Sequence, residues 1–336
     1  MSISTNTSLP HNELAIVEHK PQYIAFLVTF CHGSSDSFLL SIYSFLPTQI
    51  MHLASPSIGA NAMYHYTDLN GFLSIIQNNS LWLTDARAMN DALEISWFGK
   101  LFAKGLERSI EGLHLSLSQK EILDDFINSS LNSNLTPHIC CFSKEGDLLS
   151  QWRAYADDGF GVSIFFDESA FNKVSLSELP ERLVDSTFYS DIIYCQEEQE
   201  VASKTLVDRT VNAINKISGN NRKDAYKTLP IREFWDIKAN IELQSFFSKN
   251  PAFSEEKELR FIKLVELDKL KYKENLRFRV TGGTIASYFE LEFSKPSIKR
   301  VILGPKCKAD DNTIRLFLDA NGFEHVEVLK SKASYR

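Results

Sequence analysis

Residues 63–84, MYHYTDLNGFLSIIQNNSLWLT, contain the first regular secondary-structure pattern of this chain. Residues 63–66 have the composition of a short strand, and Thr67 or Asp68 can then cap a helix. Apolar side chains recur along that helix at three- and four-residue spacing, at Leu69, Phe72, Leu73 and Ile76. The helix ends at two asparagines, and LWLT predicts a second strand. The stretch therefore predicts a strand, a helix and a second strand in succession.

Further along the chain, strands and helices are predicted in blocks rather than in strict alternation. Strands are predicted at 138–143, 161–167, 188–195, 258–265, 276–280, 287–293, 299–305 and 325–330. Helices are predicted from Asn90 or Asp91 onward, from Ser118 onward, and at about 197–217, 231–247 and 310–320. Blocks of this kind favour an α+β fold with mixed, largely antiparallel sheets and flanking helices. Only the closing segment, from VILGP to VEVLK, has the pattern of a βαβ crossover.

Composition limits the classes of protein and site that fit this chain. Its 336 residues, 43% of them hydrophobic and 24% charged, are enough for a substantial core. A net charge of −7 gives no overall attraction to nucleic acid, although a local basic groove is compatible with it. Five cysteines without CxxC spacing argue against a zinc site and a disulfide framework. The sequence therefore predicts no metal and a cytoplasmic location.

Residues 1–62 differ in pattern from the rest. Their apolar runs, YIAFLVTF and FLLSIYSFL, are shorter than the roughly 18–20 residues that cross a bilayer, so no membrane association is expected. We predict an N-terminal extension at 1–62 and a single α+β domain at 63–336. Two interpretations stay open for the extension: it packs on the domain, or the natural start is Met51 or Met63.

The first candidate site is His65 with its neighbours Tyr64 and Tyr66. Strand alternation places the two tyrosines on one face and His65 on the other. A lone histidine in an apolar strand is typical of a hydrogen-bonded core residue. The end of a strand that leads into a helix is also a place where side chains meet a ligand, so both interpretations stay open.

The second candidate is FSEEKELRF, residues 253–261. Alternation places Glu256, Glu258 and Arg260 on one strand face. The three form either a salt-bridge row that faces solvent or the wall of a cleft. In a cleft, Arg260 would hold a neighbouring carboxylate ionised, and that carboxylate would stabilise a developing positive charge.

The third candidate lies in residues 140–167, between two predicted strands. It contains Ser143, Trp152, Arg153 and Tyr155. Trp152 and Tyr155 share a helical face, which indicates either local packing or a wall over a pocket. Arg153 has the chemistry to bind a phosphate or pyrophosphate.

A fourth group, Asn90, Asp91 and Glu94, precedes a long helix. These residues either cap the helix or support the pocket from behind. The sequence has no Walker A, nucleophile-elbow, HExxH, kinase or zinc motif.

Several short motifs, taken in order, resemble the bacterial protein family called domain of unknown function 2971 (DUF2971). They are YHYT, LWLTDARAMNDALE, CFS followed by LSQWRAYADDGFGV, EEKELRF and VILGP, between about 63 and 305. This resemblance implies no established activity. The opening YHYTDLNGFLSIIQNNSLWLT is also similar to the first strand and helix of ADP-ribosyltransferase-type folds, in particular transferases that modify nucleic acids and RNA phosphotransferases.

The second resemblance implies that NAD is a substrate. His65 would bind the ribose on the nicotinamide side, and Tyr64 or Tyr66 would stack near the nicotinamide. Glu258, or Glu256, would stabilise the oxocarbenium-like centre. Ser143 and Tyr155 are equal candidates for the middle motif of those enzymes, and Arg260 is not part of their pattern.

Two functions follow as hypotheses. The first is an NAD-consuming enzyme that transfers ADP-ribose to a macromolecule or hydrolyses NAD, in a bacterial toxin or phage-defence context. The alternative is a non-catalytic sensor or interaction module in which Trp152, Tyr155 and Arg153 contact a nucleotide or nucleic-acid strand. The catalytic hypothesis requires His65 and Glu258 to meet across one cleft.

Overall fold

The chain forms most of its strands and helices close to the positions that the apolar patterns predict. The computed structural model describes residues 62–89, 94–131, 135–167, 170–171, 174–175, 186–219, 221–266, 274–281 and 283–335. The strands in this part are β1 (Met63–Thr67), β2 (Ser80–Asp85), β3 (Leu135–Ser143), β4 (Val162–Phe166), β5 (Val174–Ser175), β6 (Thr187–Asp191), β7 (Glu258–Glu266), β8 (Arg277–Thr281), β9 (Thr284–Glu292), β10 (Ile298–Leu303) and β11 (Glu327–Lys330). The helices are α1 (Leu69–Asn78), α2 (Trp97–Ile110), α3 (Leu117–Leu131), α4 (Leu149–Tyr155), α5 (Gln196–Asn215), α6 (Arg222–Thr228), α7 (Ile231–Phe247) and α8 (Asp311–Ala320).

Strand β3 is the branch point of the sheet because it pairs with three strands. On one edge it pairs antiparallel with β7 over its whole length, from Leu135 to Ser143. Since β7 occupies that edge, β1 and β2 share the other one. There β2 pairs with His138 and Ile139, and β1 pairs with β3 through Tyr64 and Ser143. The strands β1 and β2 therefore diverge from a common edge.

Two arms of strands extend from this common edge. The first arm runs β1, β4, β10 and β11, and the second runs β2, β9 and β8. On the far side of β3, β7 pairs with β6, and β6 pairs with β5. Among the described strands, the parallel pairs are β5–β6 and β10–β11, and the other pairs are antiparallel.

Buried apolar side chains hold the helices against the sheet and against one another. The largest core lies against the central strands and includes a group of phenylalanine rings, Phe142, Phe166, Phe171 and Phe261. A second core joins helices α2, α3, α5 and α7, with Phe98, Phe102, Leu206 and Ile237 fully buried. A third core packs α7 on β6 and β7. Sheet and helical layer are thus linked mainly through α7.

The predicted fold class is confirmed as a mixed fold with a largely antiparallel sheet and flanking helices. The predicted crossover is also correct, because β10, α8 and β11 form a parallel βαβ unit. Strand β6 ends at Asp191 rather than at Cys195, since its partner β7 begins at Glu258 and pairs Leu259 with Asp191. All the described residues belong to one compact unit, at 43–336.

Other predictions fall outside the described residues. These are the extension at 1–62, apart from Ala62, together with its alternative start at Met51, and the pair Asn90 and Asp91. In the part of the chain that is described, no helix is both long enough and apolar enough to cross a membrane. The same residues contain no group of three or more His, Cys, Asp or Glu side chains placed to hold a metal ion.

Candidate functional site

A cavity of about 640 Å³ lies where β1 and β2 separate. This volume falls within the range of sites that bind small molecules and cofactors. Strands β1, β2, β3, β7 and β8 all contribute to its walls, as do α1 and α4. Its lining includes many of the predicted site residues, namely Tyr64, His65, Tyr66, Ser143, Tyr155, Glu256 and Glu258.

His65 is held in one tautomer by the backbone of β3. Its Nδ1 atom lies 3.0 Å from the carbonyl oxygen of Cys141. Because a carbonyl only accepts hydrogen bonds, Nδ1 carries the proton and Nε2 carries a lone pair. Burial lowers the pKa of His65, against the raising effect of the bond to Cys141. The imidazole is therefore neutral at pH 7, and its Nε2 atom can accept a hydrogen bond from a ligand hydroxyl.

The two tyrosines beside His65 lie in different environments. Tyr66 is buried: its hydroxyl donates to the carbonyl of Glu145 at 2.8 Å and accepts from the N–H of Leu148 at 3.0 Å. Tyr64 is only partly buried, and Gly146 lies so close that a Cβ there would be 2.3 Å from its ring. The cavity reaches both faces of β1, so all three aromatic residues line it despite strand alternation.

Glu256, Glu258 and Arg260 do not form a row facing solvent, so that interpretation is wrong. The exposed fractions of these three residues are 9%, 6% and 2%. Arg260 Nε lies 2.6 Å from Oε1 of Glu258. Lys249 Nζ lies 2.5 Å from Oε2 of Glu256 and 3.4 Å from Oε2 of Glu258. The buried site therefore pairs two carboxylates with two cations, as a stable buried charge requires.

These cations keep Glu258 ionised. Burial alone would raise the pKa of Glu258, but Arg260 and then Lys249 lower it, to about 2. The Cys141 thiol, whose own pKa burial raises, adds a hydrogen bond to the same carboxylate. Glu258 is thus a fixed negative charge in the cavity wall.

Lys249 was not predicted from the sequence. A lysine that follows a helix such as α7 is typical of an exposed C-terminal charge. Here the side chain is fully buried and turns toward Glu256 and Glu258. The apolar residues Phe246 and Phe247 before it and Pro251 to Phe253 after it are the sequence feature consistent with burial.

Ser143 and Tyr155 both line the cavity, but Ser143 is committed to the backbone. Its hydroxyl donates to the carbonyl of Glu256 at 2.7 Å and accepts from the N–H of Glu145 at 3.2 Å. Ser143 therefore joins the end of β3 to the turn that leads into β7. Tyr155, at the end of α4, is partly buried.

Comparison with known proteins gives a match over part of the chain. Residues 151–261 match the model of the family described as Protein of unknown function (DUF2971). The predicted resemblance to DUF2971 is confirmed over these residues. No curated protein and no solved structure matches the chain. The DUF2971 segment contains Lys249, Glu256 and Glu258, whereas His65 and β3 lie before it.

Trp152 and Arg153, at the start of the DUF2971 segment, do not line the cavity. Trp152 is fully buried: its Nε1 donates to Asp147 at 2.7 Å, and its ring packs edge-on against Tyr66. A buried indole cannot stack on a ligand, so the predicted wall is wrong for Trp152 and local packing is correct. Arg153 is exposed, with its guanidinium 6.0 Å from the centre of the Tyr335 ring.

The predicted supporting group is described only in part. Glu94 begins a 3-10 helix, Glu94–Ser96, ahead of α2. Asn90 and Asp91 lie outside the described residues, so their role in supporting the cavity stays a prediction.

Arg279, on β8, lines the cavity although the sequence did not single it out. Its guanidinium lies 4.9 Å from the centre of the Trp82 ring, and its Nη2 donates to the Thr84 hydroxyl at 3.1 Å. Burial lowers the pKa of Arg279. The alternation of residues along LRFRV indicates an edge strand whose arginines face solvent. The sequence pattern therefore gave no reason to select Arg279 as a site residue.

Proposed function

We propose that this protein consumes NAD, either by transferring ADP-ribose to a macromolecule or by hydrolysing NAD to ADP-ribose and nicotinamide. The observation that carries the proposal is that His65, on β1, and Glu258, on β7, line one cavity although β3 lies between their strands. The proposal includes an ADP-ribosyltransferase-like core. Its support is a histidine on the first strand and a glutamate on a later strand of the same sheet.

The proposed step breaks the bond between the anomeric carbon of ribose and the nicotinamide nitrogen. The bonding electrons leave with nicotinamide, which becomes neutral, and the ribose carbon gains oxocarbenium character. Water, or a nucleophile of the acceptor, then bonds to this carbon and loses one proton. A site for this step must bind the ribose hydroxyls and stabilise the transient positive charge.

His65 supplies the ribose contact in this proposal. Its Nε2 lone pair accepts a hydrogen bond from a ribose hydroxyl, and the bond from Nδ1 to Cys141 keeps that lone pair available. Tyr64 stacks near the nicotinamide. Tyr66 is less suited to this role, since its ring is buried against Trp152.

Glu258 supplies the negative charge. Its ionised carboxylate is held by Arg260, so it is positioned before the ribose carbon becomes positive. Glu256 is the second candidate for this role, with one oxygen bonded to Lys249. In this proposal the ionised carboxylate stabilises the positive ribose carbon by electrostatic attraction, and no proton is transferred to or from the carboxylate.

In the transferase form of this proposal, the acceptor is a protein or a nucleic acid. The setting is a bacterial toxin or defence protein that acts in the cytoplasm. Its support is the similarity to ADP-ribosyltransferases that we inferred from the sequence of residues 64–84, together with cysteines that show no disulfide pattern.

A second candidate function is non-catalytic binding of a nucleotide. The observation that favours it is the ion pairing of both carboxylates, because Lys249 and Arg260 offset the charge that catalysis would use. A module of this kind would bind NAD in the cavity and leave it intact.

The test is to incubate the purified protein with NAD, with and without cell extract, and to follow free nicotinamide by chromatography. We expect release by the wild-type protein and loss of release in Glu258→Gln. The matched control is Glu255→Gln, because Glu255 is an exposed neighbour outside the cavity. Equal release by Glu258→Gln and the wild type would refute the role of Glu258.

Circular dichroism and NAD titration of each variant separate lost chemistry from lost folding. Glu258→Asp keeps the charge and serves as a second variant if Glu258→Gln unfolds; it should retain part of the activity. NAD binding without nicotinamide release, with or without extract, would favour the non-catalytic function.

A further inference from the structure

Arg279 is a cation in the cavity wall whose charge no carboxylate of the described residues offsets directly. Among the described residues, no Asp or Glu oxygen lies within ion-pair distance of its guanidinium. Its Nε atom is buried and has no hydrogen-bond partner in the part of the chain that the structure describes. The charge of Asp68 acts to raise the pKa of Arg279. The Asp68 carboxylate, however, accepts from the N–H of Gly71 at 2.6 Å and so caps α1. A guanidinium in this state is costly unless a ligand supplies the missing acceptor.

The surroundings fix the orientation of this guanidinium. Trp82 packs against it at 4.9 Å, and the Thr84 hydroxyl accepts from Nη2 at 3.1 Å. Trp82 in turn packs at 5.0 Å against Tyr288, on β9. A planar donor held in place by stacking suits two-point recognition of a phosphate oxygen pair.

The cavity therefore has two ends of different charge. On the β7 side, Glu256 and Glu258 are paired with the cations Lys249 and Arg260. Arg279 lies on β8, on the other side of the separation between β1 and β2, and no carboxylate of the described residues pairs with it. A ligand with a neutral or transiently positive ribose at one end and a phosphate group at the other complements this arrangement. We infer that Arg279 binds the phosphate groups of the ligand and that the cavity takes a pyrophosphate-bearing nucleotide.

This inference deepens the proposed function and rests on it for the identity of the ligand, NAD. It also replaces Arg153 as the phosphate-binding arginine, since Arg153 is exposed outside the cavity. The contact is specific to Arg279 because Arg277, two residues earlier on β8, is exposed and donates to the carbonyl of Glu274.

The test is calorimetric titration with ADP-ribose, inorganic pyrophosphate and adenosine, which has no phosphate. We expect the wild-type protein to bind ADP-ribose more tightly than adenosine. Arg279→Gln should raise the dissociation constant for ADP-ribose by roughly ten- to a hundredfold, whereas adenosine binding should not change. Arg279→Lys should lie between the two, because lysine keeps the charge and loses the planar fork.

Arg277→Gln and Arg153→Gln are the matched controls and should bind ADP-ribose as the wild type does. Equal affinity of Arg279→Gln and the wild type for ADP-ribose would overturn the inference. So would wild-type protein that binds ADP-ribose no better than adenosine, or binds neither; this comparison needs no variant and holds even if Arg279→Gln unfolds.

The two proposals fail in different ways. Nicotinamide release with an unchanged KM in Arg279→Gln would leave the proposed function standing and remove the role of Arg279. ADP-ribose binding that depends on Arg279, without nicotinamide release, would keep the phosphate site and remove the NAD-consuming activity.

Discussion

The Nζ atom of Lys249 lies 2.5 Å from Oε2 of Glu256, and the lysine side chain is fully buried. The pair connects the end of α7 to the cavity wall, since Glu256 comes two residues before β7. Stability and site geometry therefore depend on the same ionic contacts.

Lys249→Met should lower the free energy of unfolding by about 3 kcal/mol, because it removes a buried cation that contacts the carboxylates of both Glu256 and Glu258. Urea denaturation measures the change. Lys257→Met is the control: Lys257 pairs with Glu145 at 2.7 Å in an exposed position, and its loss should have little effect. Equal destabilisation by the two substitutions would contradict the importance of the buried pair.

Glu258 should make stability depend on acid. Its pKa in the folded protein, about 2, is below the ordinary value of 4.5, so the unfolded state binds more protons between these two pH values. The stabilisation is then complete above pH 4.5 and is lost as the pH falls toward 2. Urea unfolding at pH 7, 4 and 3 should show the difference between wild type and Glu258→Gln, about 3 kcal/mol at pH 7, shrinking with acid. A difference that stays constant would argue against an ionised Glu258.

His138 should produce a second pH dependence at milder acidity. Burial lowers its pKa to about 4 against the opposing charge of Asp85, from an ordinary value of 6.5. The unfolded state binds the extra proton, so stability falls as the pH drops from 6.5 toward 4, by about 3 kcal/mol at most. His138→Gln should reduce this slope, and the exposed His114→Gln should leave it unchanged. The same slope in both variants would count against a neutral, buried His138.

Gly146→Ala should disturb the cavity through Tyr64. The added Cβ would lie 2.3 Å from the Tyr64 ring, which must then move. We expect a loss of about 1 kcal/mol in stability and weaker ADP-ribose binding, measured by thermal unfolding and titration. Gly112→Ala, with nothing within 4 Å of the new Cβ, is the control. A double variant with Tyr64→Leu should recover stability, and its failure to do so would show that the clash is not with this ring.

Most helices and strands could be predicted from apolar spacing, since each pattern is local, but the short helix α6 and the two-residue strand β5 were not predicted. The bounds of α7, 231–247, follow directly from the sequence. Strand β3 was predicted at 138–143 and so without Pro137, a residue that lacks a backbone donor. The strand begins at Leu135 instead, and pairing with β7 continues through Pro137 and Leu264.

Residues of the site could be predicted only where the sequence pattern matches the burial of the residue in the structure. The row formed by Glu256, Glu258 and Arg260 was recognised, but its burial depends on β3 and Lys249, which no short pattern connects to it. Arg279 was missed because β8 reverses the usual rule. Its apolar residues Phe278 and Val280 are 64% and 79% exposed, whereas the arginine faces the cavity.

The pairing of β3 on both edges also governs the order in which the chain can fold during synthesis. Strands β1 to β4 are complete well before β7, because Ser143 pairs with Glu258, more than a hundred residues later. At the usual rate of elongation, one edge of β3 stays uncovered for on the order of ten seconds. During that interval the strand HICCF has an unpaired edge, and most of its residues are apolar. Such an edge can pair with another chain and so promotes aggregation unless a chaperone binds the nascent chain first.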